Sequence, residues 1–126
     1  MGSRSRHVLV VDRDAATREL VVSILEERGY CVSCAESGTI MRRILADDAI
    51  DAIVMDASLP GEASDSLAEH AKTLRLPVVM ISGSDAVMGY SADHDLQLLY
   101  KPFRIRELCE ALDQAFASGE FGRRRT

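Results

Sequence analysis

From one end of the chain to the other, short unbroken apolar runs alternate with stretches whose apolar residues recur every three or four positions. "HVLVVD" is a Val-rich run ending on Asp12. "AATRELVVSILEERG" then sets Leu20, Val21, Ile24 and Leu25 at helical spacing and stops at Gly29, a residue suited to the position just past a helix. "YCVSCAE" predicts a second strand, and "SGTIMRRILADD" a second helix with Ser37 as N-cap and Ile40, Ile44 and Leu45 on one side. "IDAIVMD" is a third strand, again ending on an acid, Asp56. After the turn "ASLPGEA", "SDSLAEHAKTLR" presents Leu67, Ala71 and Leu74 on a helix. "PVVMIS" predicts a fourth strand, with Pro77 at its entry, where a missing donor does least harm. "GSDAVMGYSADHD" has the poorest pattern, one or two helical turns interrupted by Gly89. "LQLLY" is a fifth strand, and "KPFRIRELCEALDQAFASG" closes the pattern as a helix with Ile105, Leu108, Cys109, Leu112 and Phe116 on one face.

Strands that are apolar throughout, rather than at every second residue, are covered on both faces. Alternation with helices makes that a parallel sheet. The fold class is therefore α/β, a doubly wound three-layer (βα)5 arrangement. At 126 residues the chain is one domain. Its expected divisions are an N-terminal arm (1–5), the folded domain (6–118) and a disordered basic tail (119–126), because "EFGRRRT" alone is too short to fold.

Composition narrows the function classes. A net charge of -5 gives no general field for binding nucleic acid directly. No apolar run approaches the roughly 18 residues of a membrane span, and the N-terminus lacks the apolar stretch of a secretory signal. With three cysteines besides, a reduced, cytoplasmic protein with no membrane partner is expected. Cys31 and Cys34 have formal C-x-x-C spacing but sit inside a strand, where residues three apart point to opposite faces. They read as small buried hydrophobes. His7, His70 and His94 form no metal spacing and read as surface residues.

The chemistry concentrates at the strand ends. Ligands of open parallel sheets bind beyond the carboxyl ends of the strands, where strand order reverses. Asp12, Asp56, Ser82 and Lys101 stand at the ends of strands one, three, four and five. A single strand-end Asp is commonly a turn former or helix cap, but packing alone gives no reason for all four.

The pieces "VLVVD" with Asp12, "IVMDASLPG" with its D-x-x-x-P-G turn, "VVMIS" with Ser82 and "YKPF" with Lys101, in this order, resemble the receiver domain of two-component response regulators over about residues 6–118. The resemblance implies a flavodoxin-like sheet of order 2-1-3-4-5, an arrangement for which a chemotaxis receiver is a standard example. It implies Asp56 as phosphoacceptor, the donor being a histidine kinase or a histidine phosphotransfer protein. Ser82 and Lys101 would contact the phosphoryl group, and an unknown downstream protein would read the change. A Mg²⁺ ion would be held by Asp12, Asp56 and the backbone carbonyl of Ser58. Such a domain is a signalling phosphoacceptor rather than an enzyme acting on a separate substrate, and a homodimer is compatible with it because receiver-like helices often pair.

Two positions depart from the family pattern. Most receivers carry a second acid after the first strand's Asp, and that acid ligates the metal. Here the position is Arg13, a guanidinium in place of a carboxylate. At about 4 Å and an effective dielectric near 20, each unit-charge interaction is worth on the order of 4 kcal/mol, so the change weakens Mg²⁺ binding wherever Arg13 faces the ion. Asp14 is placed to cap the following helix instead. The aromatic switch residue expected three positions before the Lys is Leu98, which cannot act as a rotating ring. Both departures keep a second reading open, a pseudo-receiver that binds partners without phosphate. A third, a haloacid-dehalogenase-type phosphatase, rests on the D-x-D of Asp12 and Asp14. It lacks Thr or Val at position 16, which is Ala, and has the wrong motif order.

Overall fold

The computed structural model of the chain describes residues 5–57, 59, 64–83 and 97–124, with backbone alone at 64, 65 and 118–124. The strands are β1 (His7–Val11), β2 (Cys31–Ala35), β3 (Ala52–Asp56), β4 (Val78–Ser82) and β5 (Gln97–Tyr100). The helices are α1 (Ala15–Glu27), α2 (Gly38–Asp47), α3 (Ser64–Thr73) and α4 (Ile105–Arg124). All five strands pair in parallel in the order β2-β1-β3-β4-β5, so the sequence of strands reverses direction between β1 and β3.

The unbroken apolar runs have a direct explanation in the two cores. Val8, Val10, Val54, Val79 and Ile81 face a layer made by Val21, Ile24 and Leu25 of α1 and Leu108, Leu112 and Phe116 of α4. The intervening residues Leu9, Val11, Ile53, Met55 and Met80 face Met41 of α2 and Leu67, Ala68 and Ala71 of α3. Successive side chains of a strand point to opposite faces, so a strand buried on both sides must be apolar at every position. Each fully buried large aliphatic side chain contributes about 1.5–3 kcal/mol through the area it withdraws from water. At the end of the sheet away from Asp56, the Tyr30 and Phe116 rings stack at 6.1 Å and the Arg6 guanidinium lies 4.1 Å from the Phe116 centroid.

The helix signals correspond to caps. Ser37 accepts the Ile40 amide at the start of α2, and α1 ends in a turn with Gly29 at φ 92°, the left-handed region that glycine enters at little cost.

Several expectations are corrected. Leu20, Leu74 and Ile105, which helical spacing sets in line with core residues, are 54%, 44% and 53% exposed. Leu20 and Ile105 sit at the margin of their helical stripes, and Leu74 lies just past the end of α3. Cys31 and Cys34 do lie on opposite faces of β2, but both are exposed: β2 is an edge strand, buried only at Ala35. His7 is half-buried rather than a surface residue, with its Nε2 2.7 Å from the Ser33 hydroxyl. The last helix runs to Arg124, so residues 119–124 are helical rather than the disordered tail expected there. Gly119 and Gly122 each cost a helix about 1 kcal/mol but do not stop it as proline would. The weak segment at 84–96, with Gly89 and His94, and the carbonyl of Ser58 lie outside the described residues.

Candidate functional site

Parallel register is what assembles the site. Val11 pairs with Met55, so Asp12 emerges from β1 beside Asp56, the last residue of β3. Asp56 in turn pairs with Ile81, which sets Ser82 one step further along β4. Ser82 pairs with Tyr100, and the Lys101 amide donates to the Ser82 carbonyl at 2.9 Å, fixing where β5 hands over to Lys101. The four residues read from the sequence thus share the carboxyl-end rim of the sheet, across the β1–β3 reversal where ligands of this architecture bind.

Three of the four are buried polar groups: Asp12 is 3% exposed, Asp56 6% and Ser82 3%. Lys101 is exposed, and its charge acts on the Asp12 carboxyl. Burial holds the Asp12 carboxyl above the ordinary aspartate range. A hydrogen bond from the Asp14 amide opposes that shift, the Asp56 charge adds to it, and Lys101 reduces it. The Asp12 carboxylate therefore feels both Asp56 and Lys101, as an acid pair with a cation at its mouth requires.

The loop after β1 is built from local bonds. Asp12 Oδ1 accepts the Asp14 amide at 2.9 Å, which turns the chain toward α1. Asp14 caps that helix: its Oδ2 accepts the Thr17 amide at 2.9 Å and the Thr17 hydroxyl at 2.6 Å. Those bonds pull the Asp14 carboxyl below its ordinary value. With Asp14 engaged at the cap, the D-x-D phosphatase reading loses its acid/base. Arg13, between the two acids, is exposed. Leu98 is half-buried and packs against the core layer that contains Met80 and Leu67, an ordinary apolar contact.

One contributor was missed in the sequence. Arg18 Nη1 donates to the Asp12 backbone carbonyl at 2.7 Å, bracing the loop that carries the buried acid. Its signal was slight, a lone cation one turn into the helix that follows the strand, because the partner is a main-chain oxygen common to every residue.

Among the described residues, no group of three or more His, Cys, Asp or Glu side chains is arranged to hold a metal ion. Nor is any helix among them long and apolar enough to cross a membrane.

Comparison with known proteins agrees with this geometry. The chain matches the family described as the response regulator receiver domain over residues 8–113. It is similar to the transcriptional regulatory protein GltR of Pseudomonas aeruginosa, at 29% identity covering 96% of this chain and 53% of that protein. It is 33% identical to the aerobic respiration control protein ArcA of Escherichia coli K12, covering 81% of this chain and 44% of that one. The chain thus spans about half the length of these relatives. In fold it resembles the signal receiver domain of an HD domain-containing protein from Pseudomonas fluorescens Pf-5, with a TM-score of 0.89 at 20% identity, covering 100% of this chain and 97% of that one. A response regulator receiver protein from Sinorhizobium medicae gives a TM-score of 0.81 at 25% identity, covering 92% and 98%. With the family match spanning most of its length and the acid pair, hydroxyl and ammonium at the rim of a 2-1-3-4-5 sheet, this chain belongs to the response regulator receiver domains of two-component systems.

Proposed function

We propose that Asp56 accepts a phosphoryl group from a histidine kinase or a histidine phosphotransfer protein, and that the phosphorylated domain then signals to a downstream protein. The observation that carries this reading is the convergence of Asp12, Asp56, Ser82 and Lys101 at one rim by strand register. Receiver domains are signalling phosphoacceptors as a family, and the residues here suit each part of that chemistry.

In the proposed step an Asp56 carboxylate oxygen attacks phosphorus in line. The new O–P bond forms as the P–N bond to the donor's imidazole breaks, and the imidazole nitrogen leaves with the electron pair and takes up a proton. The transition state spreads negative charge over the phosphoryl oxygens, so catalysis is chiefly positioning and charge neutralisation. Lys101 supplies a positive charge to one oxygen, and the Ser82 hydroxyl donates a hydrogen bond to another. Asp12 keeps the pocket acidic beside Asp56, and its loop is held by Arg18. Water attack at phosphorus then breaks the Asp56 O–P bond, releases inorganic phosphate and restores the Asp56 carboxylate.

Receiver domains generally bind Mg²⁺ at this place. The donors described here fit that ion poorly: two carboxylates, Asp12 and Asp56, with Arg13 following Asp12 and Asp14 engaged in the helix cap.

Incubation with acetyl phosphate, read by intact mass, tests the proposal. Wild type is expected to gain one phosphoryl group and Asp56→Asn none. The pseudo-receiver alternative draws on Arg13 and on Leu98, which packs where the family carries a switch ring. It expects no label on either protein. GltR and ArcA are named for transcriptional and respiratory control. On this reading the present span would supply the phosphate-receiving part of a comparable regulator.

A further inference from the structure

We infer that Tyr100 is the side chain through which the state of Ser82 reaches the surface: once the Ser82 hydroxyl donates to a phosphoryl oxygen on Asp56, the Tyr100 ring turns inward and covers Ser82. The inference rests on the proposed phosphoacceptor reading and adds the residue that reports it.

Register and alternation put the two residues together. Met80 pairs with Leu98 and Ser82 with Tyr100 across the parallel β4–β5 ladder, where neighbouring strands lie about 4.8 Å apart. Met80 and Leu98 belong to the layer against α2 and α3, while Ile81 and Leu99 belong to the opposite one. Because successive side chains change face, Ser82 and Tyr100 both lie on the Met80 side, at its rim end. The main chain here is pinned, since the Lys101 amide donates to the Ser82 carbonyl at 2.9 Å. What has room to move is the ring. Tyr100 is 39% exposed beside a serine that is 3% exposed, and exposed side chains exchange rotamers within nanoseconds.

No other aromatic side chain among those described is placed for this. Tyr30 and Phe103 pack against the layer made by α1 and α4, and Phe116 lies within it, on the opposite face of the sheet. Leu98, two residues before Tyr100 on the same face, is half-buried and offers the ring an apolar surface to rest on.

A ring with two positions is biased only by contacts that differ between them. Ser82 supplies the difference. With its hydroxyl turned to a phosphoryl oxygen, the serine presents its apolar Cβ to Tyr100, and a ring closing over Ser82 and Leu98 withdraws apolar area from water. With the hydroxyl not so engaged, the same closure sets an apolar ring face on a polar group, which is unfavourable. Phosphoryl transfer to Asp56 thereby becomes a change in the surface exposed along β5.

Fluorine NMR of the intact chain grown with fluorotyrosine tests the inference. The sequence has three tyrosines, and Tyr100→Phe identifies the Tyr100 signal. Acetyl phosphate is added, and the labelled fraction is followed in parallel by intact mass. The Tyr100 signal is expected to shift in proportion to the label in wild type and to stay in place in Asp56→Asn. Labelled Ser82→Ala is expected to lose the shift and labelled Ser82→Thr to keep it, a distinction that a ring with a merely structural role would not make. Nitration of Tyr100 by tetranitromethane, located by peptide mass, is expected to slow on labelling of wild type, and it decides the matter should Ser82→Ala take no label. A labelled wild type with an unmoved Tyr100 signal and an unchanged nitration rate overturns the inference alone, as does a shift undiminished in labelled Ser82→Ala. A wild-type chain that takes no label overturns the phosphoacceptor reading, and this inference with it.

Discussion

Replacing Asp12 with Asn should make the protein more stable, even though it alters a buried residue of the site. Strand register places Asp12 beside Asp56, since Val11 pairs with Met55, and neighbouring strands lie about 4.8 Å apart. Two carboxylates roughly 5–6 Å apart at an effective dielectric near 20 repel by about 3 kcal/mol. Lys101 offsets part of this, leaving a net penalty of about 1–2 kcal/mol. Asn is isosteric and keeps an oxygen to accept the Asp14 amide, so the loop geometry survives the change. The expected gain of about 1–2 kcal/mol corresponds to a rise in Tm of about 3–8 °C for a chain of this size, measurable by urea and thermal unfolding followed by circular dichroism. The pH dependence has a definite sign. The folded protein holds the Asp12 carboxyl above the ordinary value of 3.8, first because it is buried. The penalty therefore develops as pH rises from that value through the raised one, and is constant above it. The advantage of Asp12→Asn should be full at neutral pH and vanish below the ordinary value, where the wild-type carboxyl is protonated in both states. A variant no more stable than wild type at neutral pH, or a gain that persists in acid, would refute the reasoning.

Three further outcomes follow from the packing and the caps. Leu25→Ala empties a site with no solvent exposure between α1 and the sheet and should cost about 2–5 kcal/mol in urea unfolding, a large part of a domain's total; a loss under about 1 kcal/mol would mean that the layer is not close-packed. Ser37→Ala removes the acceptor for the Ile40 amide and should lower stability by about 1 kcal/mol, with Ser37→Gly falling nearer wild type; equal losses for both would argue against the cap. A chemical-shift titration of Asp14 should give a midpoint below the ordinary 3.8, because the Thr17 side-chain and amide bonds favour its charged form, and a midpoint at or above 3.8 would contradict the cap geometry.

The layers of the fold were legible because burial on both faces of a sheet leaves a strong mark: Val8 to Val11, Ala52 to Met55 and Val78 to Ile81 contain no polar residue. The strand order was not written in any one run. It came from the resemblance carried by Asp12, Asp56, Ser82 and Lys101, and the register bears it out. Legibility failed where exposure depends on neighbours rather than on local pattern. Cys31 and Cys34 look like core residues within "YCVSCAE", yet β2 has a strand on one side only, and nothing in that segment distinguishes an edge from a centre. Leu20 continues a helical apolar stripe that the packed layer does not extend far enough to cover. At the site, the acids could be read because carboxylates at strand ends are few. Arg18 could not, because it acts on a main-chain carbonyl.

Chemical mapping of the phosphorylated residue tests the central claim most directly. After incubation with acetyl phosphate, borohydride reduces an aspartyl phosphate to homoserine, and peptide mass spectrometry locates the new residue. The account predicts homoserine at position 56 alone, strongly reduced in Lys101→Ala and absent in Asp56→Asn. Homoserine at position 12, or none anywhere in a folded wild-type chain, would contradict it.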